Sequence, residues 1–256
     1  MVVRYGQILA VTTRILTELW RTRRSLIFWM VFPTLMLLLF GLIYAGGSST
    51  ATSFDLTAPG VLIGAALFFS CLGGPISVIV AERERGTLRR LLLSPLQPSA
   101  YFLGIVLAYV CIALAQTVIV YGISFAFGGR FHGSVLLGLA IVLLSVFSFV
   151  GLGFFFGARF TRRTEDVNGP VAAFGVPLLV LGGTFFPVSI LPPFLLTLAY
   201  LDPIFHMNQS LKAVSGLGYT AAQVSSHLIF LVAFAAVSMA LGVSSYQRML
   251  EQEKRA

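Results

Sequence analysis

The sequence predicts an all-α integral membrane protein of six transmembrane helices. It adds an N-terminal amphipathic interfacial helix, a short cytoplasmic helix between spans 2 and 3, and short outer re-entrant helices between spans 5 and 6. Three observations carry this reading. Of the 256 residues 57% are hydrophobic and 10% charged, with a mean hydropathy of +0.94, more apolar surface than one water-soluble core can hide. Apolar runs of about 20 residues recur, the length a helix rising about 1.5 Å per residue needs to cross about 30 Å of hydrocarbon. The alternating ten-residue runs of a barrel are absent, so each span must satisfy its own backbone as a helix. Residues 1–256 read as a single transmembrane domain.

Residues 1–25 form the interfacial element. Ile8, Val11, Ile15 and Leu19 recur at spacings of three and four, while Gln7, Arg14, Glu18 and Arg21 fall largely on other faces. The arginine-rich end and Trp20 suit the headgroup region, so this helix is expected to lie along the membrane. The apolar run that begins near Leu26 is too long for a signal-peptide core and contains Pro33, so it reads as a retained span. The expected spans are 26–46, 60–81, 100–127, 135–157, 170–188 and 225–246. Gly73, Gly74 and Pro75 predict a bend in the second, since proline removes a helical hydrogen bond. Gly60 and Gly64, and Gly153 and Gly157, stand four apart, a spacing that suits close helix approach but also arises by chance in a glycine-rich chain. The segment 188–224 is cut by Pro192, Pro193 and Pro203 into apolar pieces, 194–201 and 204–214, that predict re-entrant helices.

Orientation follows from lysine and arginine. Fifteen of the 17 fall on one side, in the N-terminal helix, residues 82–99, the 158–169 loop and the C-terminus, against Arg130 and Lys212 on the other. Both termini and the 82–99 segment are therefore expected in the cytoplasm. A net charge of +8 held in short loops does not describe a nucleic-acid face. Cys71 and Cys111 sit in apolar runs as small hydrophobes.

The sequence has no P-loop, HExxH or paired CxxC pattern, and no catalytic or metal-ligating residues are assigned. A Ser189, Asp202 and His206 grouping has nothing to order it as a triad. No acid or base sits in mid-span, which disfavours an ion-coupled carrier. Gln116, Ser70, Ser145 and Ser148 are the main polar groups at depth and read as interhelical hydrogen-bonding groups.

The exception to this greasiness is the stretch from Glu82 to Ser99, with six charged residues between Glu82 and Arg90. Glu82 to Arg85 can continue the second span, Gly86 interrupts it, Thr87 can cap a new helix through Leu93, and Pro95 ends that helix. Leu88, Leu91 and Leu92 make an apolar stripe beside Arg89 and Arg90. Two readings fit: a rigid knob seated on a cytoplasmic partner, or a surface helix with leucines in lipid and arginines on phosphates.

The run Glu82-Arg83-Glu84-x-Gly86-Thr87-Leu88-x-x-Leu91-x-x-Ser94-Pro95 resembles the cytoplasmic loop of type-2 ABC exporter permeases. The run Gly182-Gly183-Thr184-Phe185-Phe186-Pro187-x-x-x-Leu191-Pro192, followed by Asp202-Pro203, resembles that family's fifth span and outer re-entrant helices. The resemblance implies a prokaryotic plasma-membrane permease that pairs with a second permease copy, as a homodimer, and with two separate ATP-binding subunits. ATP and magnesium would reside on those subunits, with no cofactor in this chain. Glu82 to Pro95 would hold the coupling helix: Glu82, Arg83, Glu84, Arg89 and Arg90 for charge, Gly86 and Thr87 for the break, Leu88 and Leu91 for packing. The second and fifth spans would line the substrate path, with Phe68, Phe69, Ser70, Phe174, Phe185 and Phe186 as candidates. Each of these phenylalanines can equally face lipid or a neighbouring helix. The implied function is ATP-driven export of a drug, lipid or glycolipid by alternating access. A membrane scaffold that recruits a cytoplasmic protein through residues 82–99 without transport is the alternative.

Overall fold

The computed structural model describes residues 5–87, 95–160, 163 and 167–255, with side chains described at all of these but 168–170, 174 and 253–255. Among the described residues every regular element is helical. The elements are α1 (Tyr5–Thr22), α2 (Arg24–Ala45), α3 (Thr50–Glu84), α4 (Pro98–Ala126), α5 (Val135–Arg159), α6 (Asn168–Leu181), α7 (Pro193–Ala199), α8 (Pro203–Leu217) and α9 (Ser225–Arg255). Five of them, α2, α3, α4, α5 and the Ser225–Gln252 part of α9, are long and apolar enough to cross a membrane. The fifth expected span is present as the shorter α6. Its 14 residues reach about 21 Å at 1.5 Å each, below the roughly 30 Å of hydrocarbon. Gly183, at φ 67, then turns the chain into a 3-10 turn at Val188–Ile190.

The second span begins earlier than its composition suggests. Ser49 caps α3 by accepting the Thr52 N–H at 3.2 Å, so the helix takes in the polar stretch from Thr50 and runs for 35 residues. Pro59 has no N–H to give the Asp55 carbonyl, and from Val61 to Gly73 the helix adopts the wider π register. It returns to α at Gly74, beside Pro75. The expected bend at Gly73, Gly74 and Pro75 is thus a change of hydrogen-bond register within a continuous helix.

Helix α3 is the central mast. In its most apolar window 78% of residues are buried, against 22% for α2 and 28% for α9. Around it α2, α4 and α5 pack directly, and α9 packs chiefly on α5. That last pairing is close because a Cβ on Gly242 would stand 2.6 Å from the Gly151 carbonyl oxygen. Both small-residue pairs are used. Gly60 and Gly64 leave room for Thr184 in the turn after α6, and Gly153 and Gly157 on α5 abut Leu72, Pro75 and Ile76 of α3. Deep in the bundle the Ser70 hydroxyl donates to Gln116 Oε1 at 2.9 Å, and Gln116 Nε2 donates to the Trp29 carbonyl at 2.9 Å, linking α3, α4 and α2.

Helix α1 turns its apolar face inward. Val11 and Ile15 are buried, Val11 against the bare backbone of Gly104 on α4, while Tyr5 and Trp20 are exposed. The corner into α2 is Arg23, at φ 54. At the other end of the bundle, the expected pieces 194–201 and 204–214 appear as α7 and α8. Asp202 caps α8 through the Ile204 N–H at 2.9 Å, and Gly218 closes it in the left-handed conformation. Asn208 Nδ2 then ties α8 to the carbonyls of Gly182 and Gly183, at 3.0 and 2.6 Å.

Candidate functional site

The basic end of α3 is where charge, helix termination and long-range contacts coincide. The helix ends at Glu84, Arg85 caps it, and Gly86 at φ 65 reverses the chain where a side chain would be strained. The Gly86 N–H returns to the Arg83 carbonyl at 3.0 Å, and the Thr87 hydroxyl donates to the Glu82 carbonyl at 3.1 Å. Residues 86 and 87 therefore satisfy the open carbonyls of the helix behind them.

Glu82 is buried, 5% exposed, and both its carboxylate oxygens are engaged within the chain. Arg14 Nη2 on α1 donates to Oε1 at 2.5 Å, and the Tyr101 hydroxyl on α4 donates to Oε2. Tyr101 in turn stacks on Tyr246 of α9, with ring centroids 5.8 Å apart. One carboxylate thus joins three helices and abuts a fourth. Burial of such a charge is tolerable only with this pairing. Arg83, its neighbour, donates to the carbonyls of Gly157 and Ala158 at 3.3 and 3.0 Å and lies against Met249 Sδ. A guanidinium there sits at the negative end of α5 and joins α3 to α5 and α9.

Helix α1 grips the next part of the chain as well. Arg85 reaches Glu18 at 3.6 Å, in an exposed pair. Past the undescribed stretch, Gln7 Nε2 donates to the Pro95 carbonyl at 3.0 Å, and Gln7 Oε1 accepts the Gln97 N–H at 3.2 Å. The segment that leaves α3 at Gly86 and returns at Pro95 therefore has both feet on one helix. Glu84 and Gly86 are exposed and Thr87 is half-buried. Leu88, Arg89, Arg90 and Leu91, and with them all but the first residue of the short helix expected from Thr87 to Leu93, lie outside the described residues.

The residues expected along a substrate path scatter in burial. Phe68 and Ser70 are enclosed within the single chain, Phe68 against Phe149 and the bare face of Gly175. Phe69 is half-buried and meets Phe28 and Phe32 of α2 edge-on, at 6.1 and 5.6 Å. Phe185 stacks on Phe40 at 5.5 Å, and Phe186 is exposed beside the same ring at 5.7 Å. The Phe174 side chain lies outside the described residues.

Sequence reasoning missed the partners of Glu82. Arg14 and Tyr101 each look like ordinary polar positions, and no spacing links them to residue 82, just as none links Gln7 to its partners Pro95 and Gln97. It missed Asp55 too, on the first turns of α3 at the far end. That carboxylate accepts the Arg130 N–H at 2.7 Å, has Ser124 Oγ at 3.5 Å and stands 3.9 Å from His132 Nδ1. It pins the α4–α5 connection. The Ser189, Asp202 and His206 grouping is not assembled as a triad, since Asp202 caps α8 and His206 pairs with His227 and the Tyr200 carbonyl.

A family model described as ABC-2 type transporter matches residues 6–215. A probable multidrug ABC transporter permease, YbhR, of Escherichia coli K12 is 31% identical over 137 residues, which is 53% of this chain and 37% of that protein. Its namesake in Escherichia coli O157:H7 matches to the same extent. The match thus covers well under half the length of these curated relatives. The family match runs without interruption from α1, through Glu82 and the two feet on α1, into α8, and the chain belongs to the ABC-2 type transporter family.

Proposed function

We propose that this chain is the membrane-spanning subunit of an ATP-driven exporter, worked by a separate ATP-binding subunit that seats on residues 82–95. The observation that carries this reading is the double attachment of that segment to α1. A partner pushing on the segment displaces α1, α3 and α4 together. Reversing a 99:1 conformational ratio takes about 5.5 kcal/mol of differential binding, and a loose loop would dissipate such a push. In this reading Glu82 and Arg83 transmit force inside the chain, while Glu84, Arg89 and Arg90, with Leu88 and Leu91, meet the partner. ATP and magnesium are held by that partner, in two copies, one for each permease.

The transported compound is amphipathic or hydrophobic, a drug, lipid or glycolipid, and it passes between two copies of the chain by alternating access. The exposed aliphatic flank of α2, with Leu35, Leu39 and Ile43, supports a second copy or lipid against it. Phe69, Phe185 and Phe186 reach the surface of the single chain, whereas Phe68 and Ser70 join the path only when α3 shifts. The name of the E. coli relative, a probable multidrug permease, supports the drug class.

Purification of the chain with its native partners tests the proposal. A co-purifying P-loop ATPase whose turnover changes with candidate drugs or lipids is the expected result. A partner without nucleotide binding would instead favour a non-transporting scaffold. Charge reversal by Glu84→Lys with Arg89→Glu is expected to lower both ATPase association and transport, and retention of both would remove the coupling assignment.

A further inference from the structure

His206 of α8 and His227 of α9 face one another with their Nδ1 atoms 2.8 Å apart and ring centroids 5.0 Å apart. This end-on geometry is that of an N–H···N hydrogen bond, and the surroundings decide which ring donates. His206 Nε2 stands 3.0 Å from the Tyr200 carbonyl, which can only accept, so Nε2 carries the proton and His206 Nδ1 is left bare. His227 Nδ1 is therefore the donor, and its own Nε2 is the bare nitrogen. Phe230 stacks on His206 at 3.9 Å with an interplanar angle of 15°, which holds the ring in this orientation.

The bond is a polar link between two helices that also meet here through rings, Phe230 on His206 and Phe205 at 6.1 Å from His227. The other polar anchors of α8 run elsewhere, from Asn208 to the turn after α6 and from the Ser215 carbonyl to the His132 N–H. We propose that the His206–His227 pair is a proton-counting latch between α8 and α9, closed with zero or one added proton and opened by two. The first proton goes to the bare Nε2 of His227. It leaves the Nδ1–H···Nδ1 bond in place and makes it charge-assisted. The second proton can only go to His206 Nδ1. It removes the acceptor, sets two N–H groups against each other and puts two imidazolium cations in contact.

Other ionisable groups at this end do not mimic that behaviour. Tyr200 and Asp202 precede α8, Lys212 lies on it, Asp55 faces it from α3, and Arg130 and His132 face it from the α4–α5 connection. Helix α9 itself brings only His227 to this end. Burial raises Asp202 to about 7, so acid neutralises an enclosed charge and tightens its surroundings. Protonation of His132 strengthens its approach to Asp55. Both effects oppose acid-induced release.

Hydrogen–deuterium exchange of the full chain in detergent, corrected for the intrinsic pH dependence of amide exchange, reads the latch directly. Peptides covering 203–210 and 225–231 are expected to keep their protection from pH 7.5 to about 6 and to lose it, by about fivefold or more, towards pH 4.5. In His227→Gln, whose amide can either donate or accept, the same peptides are expected to stay protected throughout. Unchanged wild-type protection down to pH 4.5 would overturn the proposal, as would equal acid loss in His227→Gln. The wild-type titration decides the matter by itself if the variant does not fold.

Discussion

Arg14 on α1 and Glu82 on α3 lie 68 residues apart in the chain and 2.5 Å apart in space. Glu82 is almost wholly enclosed, whereas the second cross-link between the same helices, Arg85 with Glu18, is exposed on both sides. A double-mutant cycle on Arg14 and Glu82, read by thermal unfolding in detergent, is expected to give a coupling of about 1–3 kcal/mol. The cycle on Arg85 and Glu18 should give no more than about 0.5 kcal/mol and vanish with added salt. Equal couplings would mean that burial is not what strengthens the first pair.

Two glycines on α3 invite opposite outcomes. At Gly60 a Cβ would run into the Thr184 carbonyl, a backbone atom that cannot step aside, while nothing lies within 4 Å of the Cβ position at Gly73. Gly60→Ala is expected to cost about 1–3 kcal/mol and Gly73→Ala to be neutral or stabilising by up to about 1 kcal/mol. Melting temperatures of the two variants check the pair.

At the corner between α1 and α2, Arg23 holds φ 54, a region that costs a residue with a side chain about 1–2 kcal/mol. Arg23→Gly is expected to melt at or above the wild-type temperature. Arg23→Pro, which fixes φ near −65°, should swing α1 off its seat on α4. Hydroxyl-radical labelling of Val11 and Ile15, buried in the folded chain, would report that displacement.

Asp202 caps α8 from a buried position, and burial lifts its carboxyl from 3.8 to about 7. Between those values the folded chain holds a proton that the unfolded chain has released. Stability from this group is therefore highest at low pH, falls as pH rises from about 4 to about 7, and is flat above. Asp202→Asn keeps an acceptor for the Ile204 N–H and no charge. It should remove that slope and raise the melting temperature at pH 8 by about 2 °C or more.

Much of this architecture was legible in the chain itself. Apolar runs announced the long helices, proline spacing announced α7 and α8, and Gly86 announced the end of α3. The reading failed where a terminus depends on a single cap. Ser49 extends α3 through residues that hydropathy assigns to a loop, and α6 stops at Leu181 because the chain turns at Gly183, well before its apolar run ends. At the basic end the charged cluster itself was conspicuous. Its division of labour was not, since whether Glu82 points inward depends on an arginine and a tyrosine that α1 and α4 bring from elsewhere. Periodicity identifies the face of a helix, and it carries no information about which distant side chain will meet that face.

Helix α3 has one buried carboxylate near each end, Asp55 held by the α4–α5 connection and Glu82 held by α1 and α4. Their separation works as a ruler. One residue inserted between them would advance the far carboxylate by about 1.5 Å and rotate it by about 100°, so only one of the two cages could still close. The mast can tilt or turn with its neighbours as a body, but its length between these two marks is locked to the spacing of the helices around it.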